Sequence, residues 1–175
     1  MIKFLFFSHV SKATAWKVWK LFPDVSTSFA LLSNRPTQKD IEKCLASLER
    51  FVVFLYHCTS NCTDVNSCRR ELFCHGRAIE NIPPTQNALQ QHIKRAAYIG
   101  GHVLGSSLHP MMNLPAFEDY GWNTDATPYW TNLSQASENL RELIKCGCTK
   151  GCTGRCQCKQ ASLPCTELCK CKGTC

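Results

Sequence analysis

Apolar side chains recur with a helical period through the middle of the chain, and this pattern predicts its longest helix. They are Ile41, Cys44, Leu45, Leu48, Phe51, Val52 and Leu55. The 3.6-residue period places them on one face of a helix of about 17 residues. Thr37 or Asp40 stands just before this run, where a side-chain oxygen can accept a hydrogen bond from a free backbone N–H. We therefore expect a capped, amphipathic helix that packs on a core.

Three further segments predict shorter helices. TAWKVWKLF places five apolar side chains on one helical face, and Pro23 ends that helix. The five are Ala15, Val18, Trp19, Leu21 and Phe22. DVNSCRRELF predicts a helix with Asp64 near its N-terminus. SQASENLRELIK, residues 134–145, predicts a final amphipathic helix that runs into Cys146 without a flexible linker.

A second long helix is predicted after the rigid connector IENIPPT, with Thr85 as its cap and residues 86–107 as its span. Its inner face would comprise Leu89, Ile93, Ala96, Ala97, Gly100, Val103 and Leu104. The small residues of this face would let another segment approach closely. Because each glycine inside a helix costs about 1 kcal/mol relative to alanine, tertiary packing must compensate.

The remaining segment of the helical region, residues 108–132, is rich in proline and predicts a loop. We expect Trp122, Tyr129 and Trp130 to pin this loop onto the helices. The chain as a whole is predicted to be mainly α, with a helical domain followed by a small irregular zinc-cluster module. The expected divisions are an N-terminal helical fragment over residues 1–36, an all-α domain over 37–145 and the module over 146–175.

Residues 146–175 differ from the rest of the chain, because nine of these 30 residues are cysteine and the obvious aliphatic side chains are Leu163 and Leu168. The cysteines are Cys146, Cys148, Cys152, Cys156, Cys158, Cys165, Cys169, Cys171 and Cys175. Because nine is an odd number, pairing these cysteines in disulfides would leave at least one thiol unpaired. The chain start also lacks the h-region of about 7–15 apolar residues that marks a secreted protein. We therefore disfavour a disulfide framework.

Metal binding accounts for the cysteines better. Thiolates are soft ligands that suit Zn²⁺, and structural zinc sites are tetrahedral. Three tetrahedral zinc ions need twelve ligand positions, and nine cysteines fill them if three of the cysteines each bridge two ions. Isolated four-cysteine sites would instead leave one cysteine unused. Gly147, Gly151, Gly154 and Gly173 would allow tight turns of positive φ between the ligands.

The spacing of these cysteines, which includes C-x-C-x6-C-x3-C-x-C, resembles the CXC domain of tesmin-like proteins. That domain also occurs in dosage-compensation ubiquitin ligases and beside the SET domain of polycomb-type methyltransferases. The resemblance covers about 30 of the 175 residues. It implies three zinc ions that share nine cysteines, and in several relatives the module binds DNA. A second copy of the module, usual in tesmin-like proteins, is absent from the sequence.

Positive charge in the tail favours an acidic partner. Five cations oppose the single carboxylate of Glu167. They are Lys150, Arg155, Lys159, Lys170 and Lys172. Three Zn²⁺ and nine thiolates would reduce this formal charge from +4 to about +1, so any affinity for double-stranded DNA must depend on where the charges lie.

A specific role in DNA binding is expected for Arg155. In tesmin-like proteins a tyrosine that enters the minor groove commonly precedes the fourth cysteine, and this chain has arginine there. Arginine is favoured in narrow A·T-rich minor grooves. We expect Arg155 to enter the groove and the four lysines to contact phosphates. The alternative is a purely structural zinc module that mediates protein–protein contact without DNA.

The N-proximal 145 residues resemble the C-terminal region of large uncharacterised animal proteins, apparently derived from mobile elements. The segments LERFVVFLYHCTSNCTDVN and NIPPTQNALQQHIKRAAYIGGHVLG carry the resemblance. In those relatives TAWKVWKLFPDV follows a portion similar to FEN/PIN nucleases, which is missing here. This implies that residues 1–36 are the end of a larger domain. Nuclear localisation is likewise an expectation from the resemblance to DNA-binding relatives.

Other chemistry is weakly indicated, and we expect no enzyme. No nucleophile elbow, phosphate loop or HExxH motif is present, and Glu118-Asp119 is the only adjacent acidic pair. Five cysteines lie outside the tail: Cys44, Cys58, Cys62, Cys68 and Cys74. With His57 and His75 they could form a second metal site, but their spacing matches no common zinc motif, so free thiols are the favoured interpretation.

Surface binding elsewhere is also weakly indicated. Helical spacing favours core packing over base stacking for Trp16 and Trp19. Lys94 and Arg95 are expected on a solvated helix face. No apolar run approaches the roughly 18 residues that span a bilayer. Protein partners, if any, would bind the helical domain.

Overall fold

The computed structural model describes residues 10–104, 113–129, 145–149 and 151–173, and the fold they form is mainly helical, as predicted. Its α-helices are α1 (Lys12–Leu21), α2 (Val25–Leu32), α3 (Gln38–Tyr56), α4 (Val65–Cys74), α5 (Gln86–Ala97) and, in the tail, the short α6 (Gln157–Gln160). Two 3₁₀ turns (Ile79–Asn81 and Glu118–Tyr120) and a π-helix (Tyr98–Val103) complete the described elements. No described helix is both long and apolar enough to cross a lipid bilayer.

Helix α3 is the centre of the fold, because α1, α2, α4 and α5 all pack against it. Its predicted apolar face is confirmed: six of the seven positions are buried, and Leu45 is partly buried against the same core. Thr37 and Asp40 form a capping box, in which the Thr37 hydroxyl accepts from the Asp40 N–H and the Asp40 carboxylate accepts from the Thr37 N–H. The sequence was sufficient to predict this helix, because its apolar period and its cap each depend on residues that are close together in the chain.

Helices α1 and α2, which precede the expected division at residue 37, share one core with α3 through Val18 and Val25. Trp19 packs on this core and donates a 2.7 Å hydrogen bond from Nε1 to Ser26 Oγ. Trp16, in contrast, is 52% exposed, so core packing is confirmed for Trp19 and wrong for Trp16.

The predicted inward position of Leu21 is also wrong, since its side chain is 74% exposed. At 100° per residue, the core-facing side chains of α1 between Ala15 and Phe22 span about 100° of the helix circumference. Val18 lies at one edge of this arc, and Leu21 lies about 60° farther around the helix, outside the arc. Periodicity alone did not fix where the buried face of this short helix ends.

Helices α4 and α5 begin where the sequence indicated. Asp64 caps α4 by accepting a 2.8 Å hydrogen bond from the Ser67 N–H, and Thr85 caps α5 by accepting from the Ala88 N–H. The α-helical path of α5 ends at Ala97, however, and the chain continues as the π-helix Tyr98–Val103. Residues 105–107 of the predicted helix lie outside the described part.

The π-helix changes which side chains face the core. Val103 and Leu104 were predicted to face inward, but both are exposed, and Gly101 and His102 are buried instead. A π turn bonds residue i to i+5, so later side chains are rotated relative to an α-helix. The expected close approach occurs at Gly101, where an added Cβ would lie 2.4 Å from Pro36 Cδ.

The loop over residues 113–129 is pinned by aromatic and charged side chains. Tyr120 is buried and donates a 2.9 Å hydrogen bond to the carbonyl oxygen of Pro36, and Trp122 packs against the core. Tyr129 is 46% exposed, so the expected pinning is confirmed for Trp122 and not for Tyr129. The solvated position predicted for Arg95 is wrong, because its guanidinium donates to the carbonyl oxygens of Gly121 and Tyr129. Trp130 and residues 134–144 of the predicted last helix lie outside the described part.

Candidate metal centre

The tail packs around sulfur rather than around hydrocarbon side chains. Five of its cysteines are buried and three more pack against them. The buried ones are Cys146, Cys156, Cys158, Cys169 and Cys171, and the partly buried ones are Cys148, Cys152 and Cys165. Leu163 and Leu168 are only partly buried. A segment with so little apolar surface cannot stabilise itself by the hydrophobic effect, so its fold requires another source of free energy.

Short turns bring the cysteines together. Cys156 directly precedes the four-residue helix α6, and Cys158 lies within it. Positive φ is found at Gly151 (+99°) and Gly173 (+76°), as the sequence predicted. Gly147 and Gly154 do not adopt positive φ, so for these two the prediction was wrong.

Three groups of four cysteines hold their Sγ atoms within 4.8 Å of one another. They are Cys146/Cys148/Cys152/Cys156, Cys146/Cys152/Cys165/Cys171 and Cys146/Cys156/Cys158/Cys165. Cys146 belongs to all three groups, and Cys152, Cys156 and Cys165 each belong to two. The groups therefore overlap and form one cluster of sulfur atoms rather than separate sites. The ninth cysteine of the tail, Cys175, lies outside the described residues.

The sulfur–sulfur distances match tetrahedral thiolate coordination. With Zn–S bonds of about 2.3 Å, two ligands of one tetrahedral zinc lie about 3.8 Å apart. Cys146 Sγ lies 3.8 Å from Cys152 Sγ, 3.8 Å from Cys165 Sγ and 3.7 Å from Cys171 Sγ. Cys152 Sγ lies 3.8 Å from Cys171 Sγ and 3.4 Å from Cys165 Sγ. Disulfide sulfurs lie about 2.05 Å apart, and all eight described cysteines of the tail are free.

Cys169 joins the cluster through its neighbours. Its Sγ lies 3.6 Å from Cys158 Sγ and accepts a hydrogen bond from the Cys146 N–H at 3.4 Å. The Lys170 N–H donates to the Cys146 carbonyl oxygen at 3.1 Å. The two ends of the tail are thus held side by side around Cys146. All eight described cysteines of the tail therefore belong to one cluster that can bind a metal ion.

The protein environment gives the thiols of the cluster different pKa values. The Lys159 backbone N–H, at the start of α6, is the main cause that lowers the pKa of Cys156 to about 6. Burial and the neighbouring Cys169 raise the pKa of Cys158 to about 12. A coordinated zinc ion deprotonates its thiol ligands. Zinc binding at neutral pH must therefore release protons from thiols such as Cys158.

The predicted cations lie on the outer surface of this cluster. Arg155, Lys159, Lys170 and Lys172 are all exposed, and Lys150 lies outside the described residues. They alternate with buried cysteines along the chain: Cys156 and Cys158 lie between Arg155 and Lys159, and Cys171 lies between the other two lysines. The alternation directs sulfur inward and positive charge outward.

The other candidates from the sequence are not brought into these groups. All five cysteines outside the tail are free thiols; Cys44 and Cys68 are buried, Cys62 is partly buried, and Cys58 and Cys74 are exposed. Glu118 and Asp119 belong to a single 3₁₀ turn that ends at Tyr120. One contact that sequence analysis missed is between Cys62 and Glu71, whose Sγ and Oε2 atoms lie 3.2 Å apart.

Comparisons with models of protein families, with curated proteins and with solved structures give no match to this chain. The function must therefore be inferred from the site itself.

Proposed function

We propose that residues 146–175 form a three-zinc cluster on nine cysteines whose outer surface binds double-stranded DNA, attached to a helical scaffold or interaction domain. The observation that carries the metal assignment is the set of sulfur–sulfur distances of 3.4–3.8 Å around Cys146. These are the distances of ligands that share a zinc ion. Because the described part of the tail packs around sulfur and not around hydrocarbon side chains, the free energy of metal binding would be its folding free energy.

The overlap of the groups supports a cluster that shares its ligands. Three tetrahedral ions on nine cysteines need three bridging sulfurs, and four cysteines each belong to more than one of the three groups. Isolated sites would share none. Zinc is favoured over harder cations because every candidate ligand is a thiolate.

The DNA assignment is supported by the placement of the cations. Arg155 lies at the start of α6, exposed next to the buried Cys156, where it can enter a minor groove. Lys159, Lys170 and Lys172 are exposed on the same small module and can contact phosphates. A DNA-binding role would place the protein in the nucleus, where thiols stay reduced.

The test is a fluorescence titration of the full, zinc-loaded chain with A·T-rich and G·C-rich duplexes. We expect Arg155→Ala to weaken binding and to reduce the preference for A·T, and Lys159→Ala to weaken binding to both duplexes equally. Gln157→Ala is the matched control, because Gln157 is exposed and lies between these two residues. With three or four phosphate contacts, raising salt from 50 to 200 mM should weaken binding about 40- to 150-fold.

The second candidate function is a structural zinc module that docks on a protein. The low net charge of the loaded tail, about +1, favours it, because weak fields give weak non-specific DNA binding. Equal DNA affinities for the wild type, Arg155→Ala and Lys159→Ala would support this candidate and rule out the DNA proposal.

A further inference from the structure

The outward face of α1 carries three lysines and a tryptophan that the core does not use. Lys12, Lys17 and Lys20 are exposed, and Trp16 is exposed as well. At 100° per residue, Trp16 lies between Lys12 and Lys20 around the helix, and Lys17 lies about 60° beyond Lys20. These four side chains share one face, on the opposite side of the helix from the buried Val18.

Helix α1 itself contains no acidic residue to neutralise this charge. Its lysines form no ion pair with any residue that the structure describes. The nearest carboxylate in the sequence is that of Asp24, which directly precedes α2. Three lysines along about 12 Å of helix therefore attract a partner that carries several negative charges.

Packing holds the Trp16 ring in place while leaving it exposed. Its centroid lies 5.3 Å from that of Trp19, and the two ring planes meet at 89°. Trp19 is fixed by its hydrogen bond to Ser26 and by an edge contact with Phe29 at 5.8 Å. Phe29 contacts the buried Phe51 in the same way at 5.5 Å. A series of aromatic contacts therefore connects the core to an exposed ring.

A nucleotide with an unstacked base fits both features of this face. An exposed aromatic ring gives a nucleobase a surface on which to stack, and lysines bind the phosphates. The Lys20 ammonium lies 5.6 Å from the centroid of the Trp16 ring, so it can reach the phosphate beside a stacked base. Because the bases of a duplex already stack on one another, these contacts favour a single strand.

An anionic lipid surface is the other partner that lysine and tryptophan suit, and the structure disfavours it. A helix that lies on a bilayer buries a broad apolar face among the lipids. The apolar face of α1 is instead packed in the core through Val18, Trp19 and Phe22. Its outward side presents only Trp16 and Leu21 as large apolar side chains.

We propose that the outward face of α1 binds single-stranded nucleic acid, with one base stacked on Trp16 and phosphates bound by Lys12, Lys17 and Lys20. These residues differ from those proposed to bind duplex DNA on the tail, so the two proposals can fail separately. Helical spacing favoured core packing for Trp16, and its exposure in the fold is what reveals the site.

The first test is a titration of labelled oligothymidylate with the full, zinc-loaded chain, followed by fluorescence anisotropy. We expect Trp16→Ala to weaken binding at least about fivefold, the lower end of what stacking on one base contributes, and Trp16→Phe to retain most of the affinity. An oligouridylate of the same length should rank the variants in the same order, because neither contact reads the sugar. Wild-type affinity of Trp16→Ala for both strands, with its fold verified by circular dichroism, would overturn the proposal.

Salt dependence separates the lysines from the ring. Three phosphate contacts to a single strand predict a slope of log affinity against log salt of about −2.1, and Lys17→Ala should reduce its magnitude by about 0.7. Trp16→Ala should leave the slope unchanged. Lys43→Ala is the matched control, because it removes the same charge from an exposed lysine that pairs with Asp40 on α3. Equal slopes for Lys17→Ala and the wild type would contradict the phosphate contacts.

Two further measurements distinguish this site from the tail and from a lipid-binding surface. Arg155→Ala should leave oligothymidylate binding unchanged, and Trp16→Ala should leave duplex binding unchanged. If only Trp16→Ala weakens oligothymidylate binding while duplex affinity does not respond to Arg155→Ala, this inference stands and the tail proposal fails. Binding to vesicles of phosphatidylserine that depends on Trp16, without binding to either oligonucleotide, would overturn the inference.

Discussion

The ammonium group of Lys145 donates a 2.6 Å hydrogen bond to the backbone carbonyl oxygen of Phe73 and lies 4.4 Å from the centroid of the Phe73 ring. Lys145 directly precedes Cys146, the cysteine common to all three groups of sulfur ligands. Phe73 belongs to α4 and packs against the core of the helical domain. This contact therefore ties the first cysteine of the tail to the helical domain.

Removing this contact should loosen the tail without removing its metal. A hydrogen bond from a charged group together with a cation–π contact contributes about 1–3 kcal/mol. We expect Lys145→Ala to lower the free energy of unfolding by about that amount and to leave the zinc count unchanged. Urea unfolding measures the first quantity, and Lys170→Ala, which removes an exposed lysine, is the control. Equal stability of the two variants would show that the contact has no energetic role.

Gly101 should be intolerant of any side chain. A Cβ there would lie 2.4 Å from Pro36 Cδ and 2.6 Å from the Leu32 carbonyl oxygen, so the segment between α2 and α3 would have to move. We expect Gly101→Ala to destabilise the protein by about 1–3 kcal/mol. Gly154→Ala is the control, because its Cβ would meet no atom within 4 Å. A thermal melt in which both variants match the wild type would contradict the packing described for the π-helix.

The Thr37 cap should stabilise α3 in a pH-dependent way. Thr37→Ala removes the hydroxyl that accepts from the Asp40 N–H, and we expect a loss of about 1 kcal/mol, with Thr37→Ser close to wild type. Hydrogen bonds from the Thr37 side chain and backbone lower the pKa of Asp40 from its ordinary value of 3.8.

This stabilisation is present above pH 3.8 and is lost as the pH falls through the lowered pKa of Asp40. The stability difference between wild type and Thr37→Ala should therefore narrow in acid. Urea titrations of both proteins between about pH 2 and pH 7 measure this difference. A difference that stays constant over this range would mean that Asp40 does not contribute through its charge.

Thiol reactivity outside the tail should follow burial. Cys58 and Cys74 are exposed, whereas burial raises the pKa of Cys44 and raises that of Cys68 to about 12. The thiolate is the reactive form, so we expect alkylation at neutral pH to be at least about tenfold faster at the exposed pair. Peptide mapping of a labelling time course gives the four rates. Rapid modification of Cys68 in the folded protein would contradict its place in the core.

The parts of this fold that the sequence predicted are those governed by local signals. The apolar face of α3 and its Thr37 cap depend on residues within a few positions of one another. The wrong predictions concern positions that local signals do not determine. The exposure of Leu21 depends on how α1 packs on its neighbours, and that of Val103 depends on the π-helix. The position of Arg95 depends on its contact with a distant loop. The contact of Cys62 with Glu71 also needed the fold, since the two residues lie on different elements.

In the tail, too, the sequence predicted what depends on nearby residues and did not predict contacts between distant ones. Its cysteine spacing was enough to predict a thiolate cluster, because nine cysteines among 30 residues with few apolar side chains suit coordination of a soft metal ion. Which sulfurs meet was not predictable. It depends on turns at residues such as Ser162 and Lys172, whose φ angles of +55° and +51° the sequence does not indicate.

The central claim, a three-zinc cluster on the tail, is tested most directly by native mass spectrometry of the full chain expressed with zinc. The account predicts three zinc ions and no disulfide. Two ions or fewer, or a mass lowered by about 2 Da for each disulfide, would contradict it.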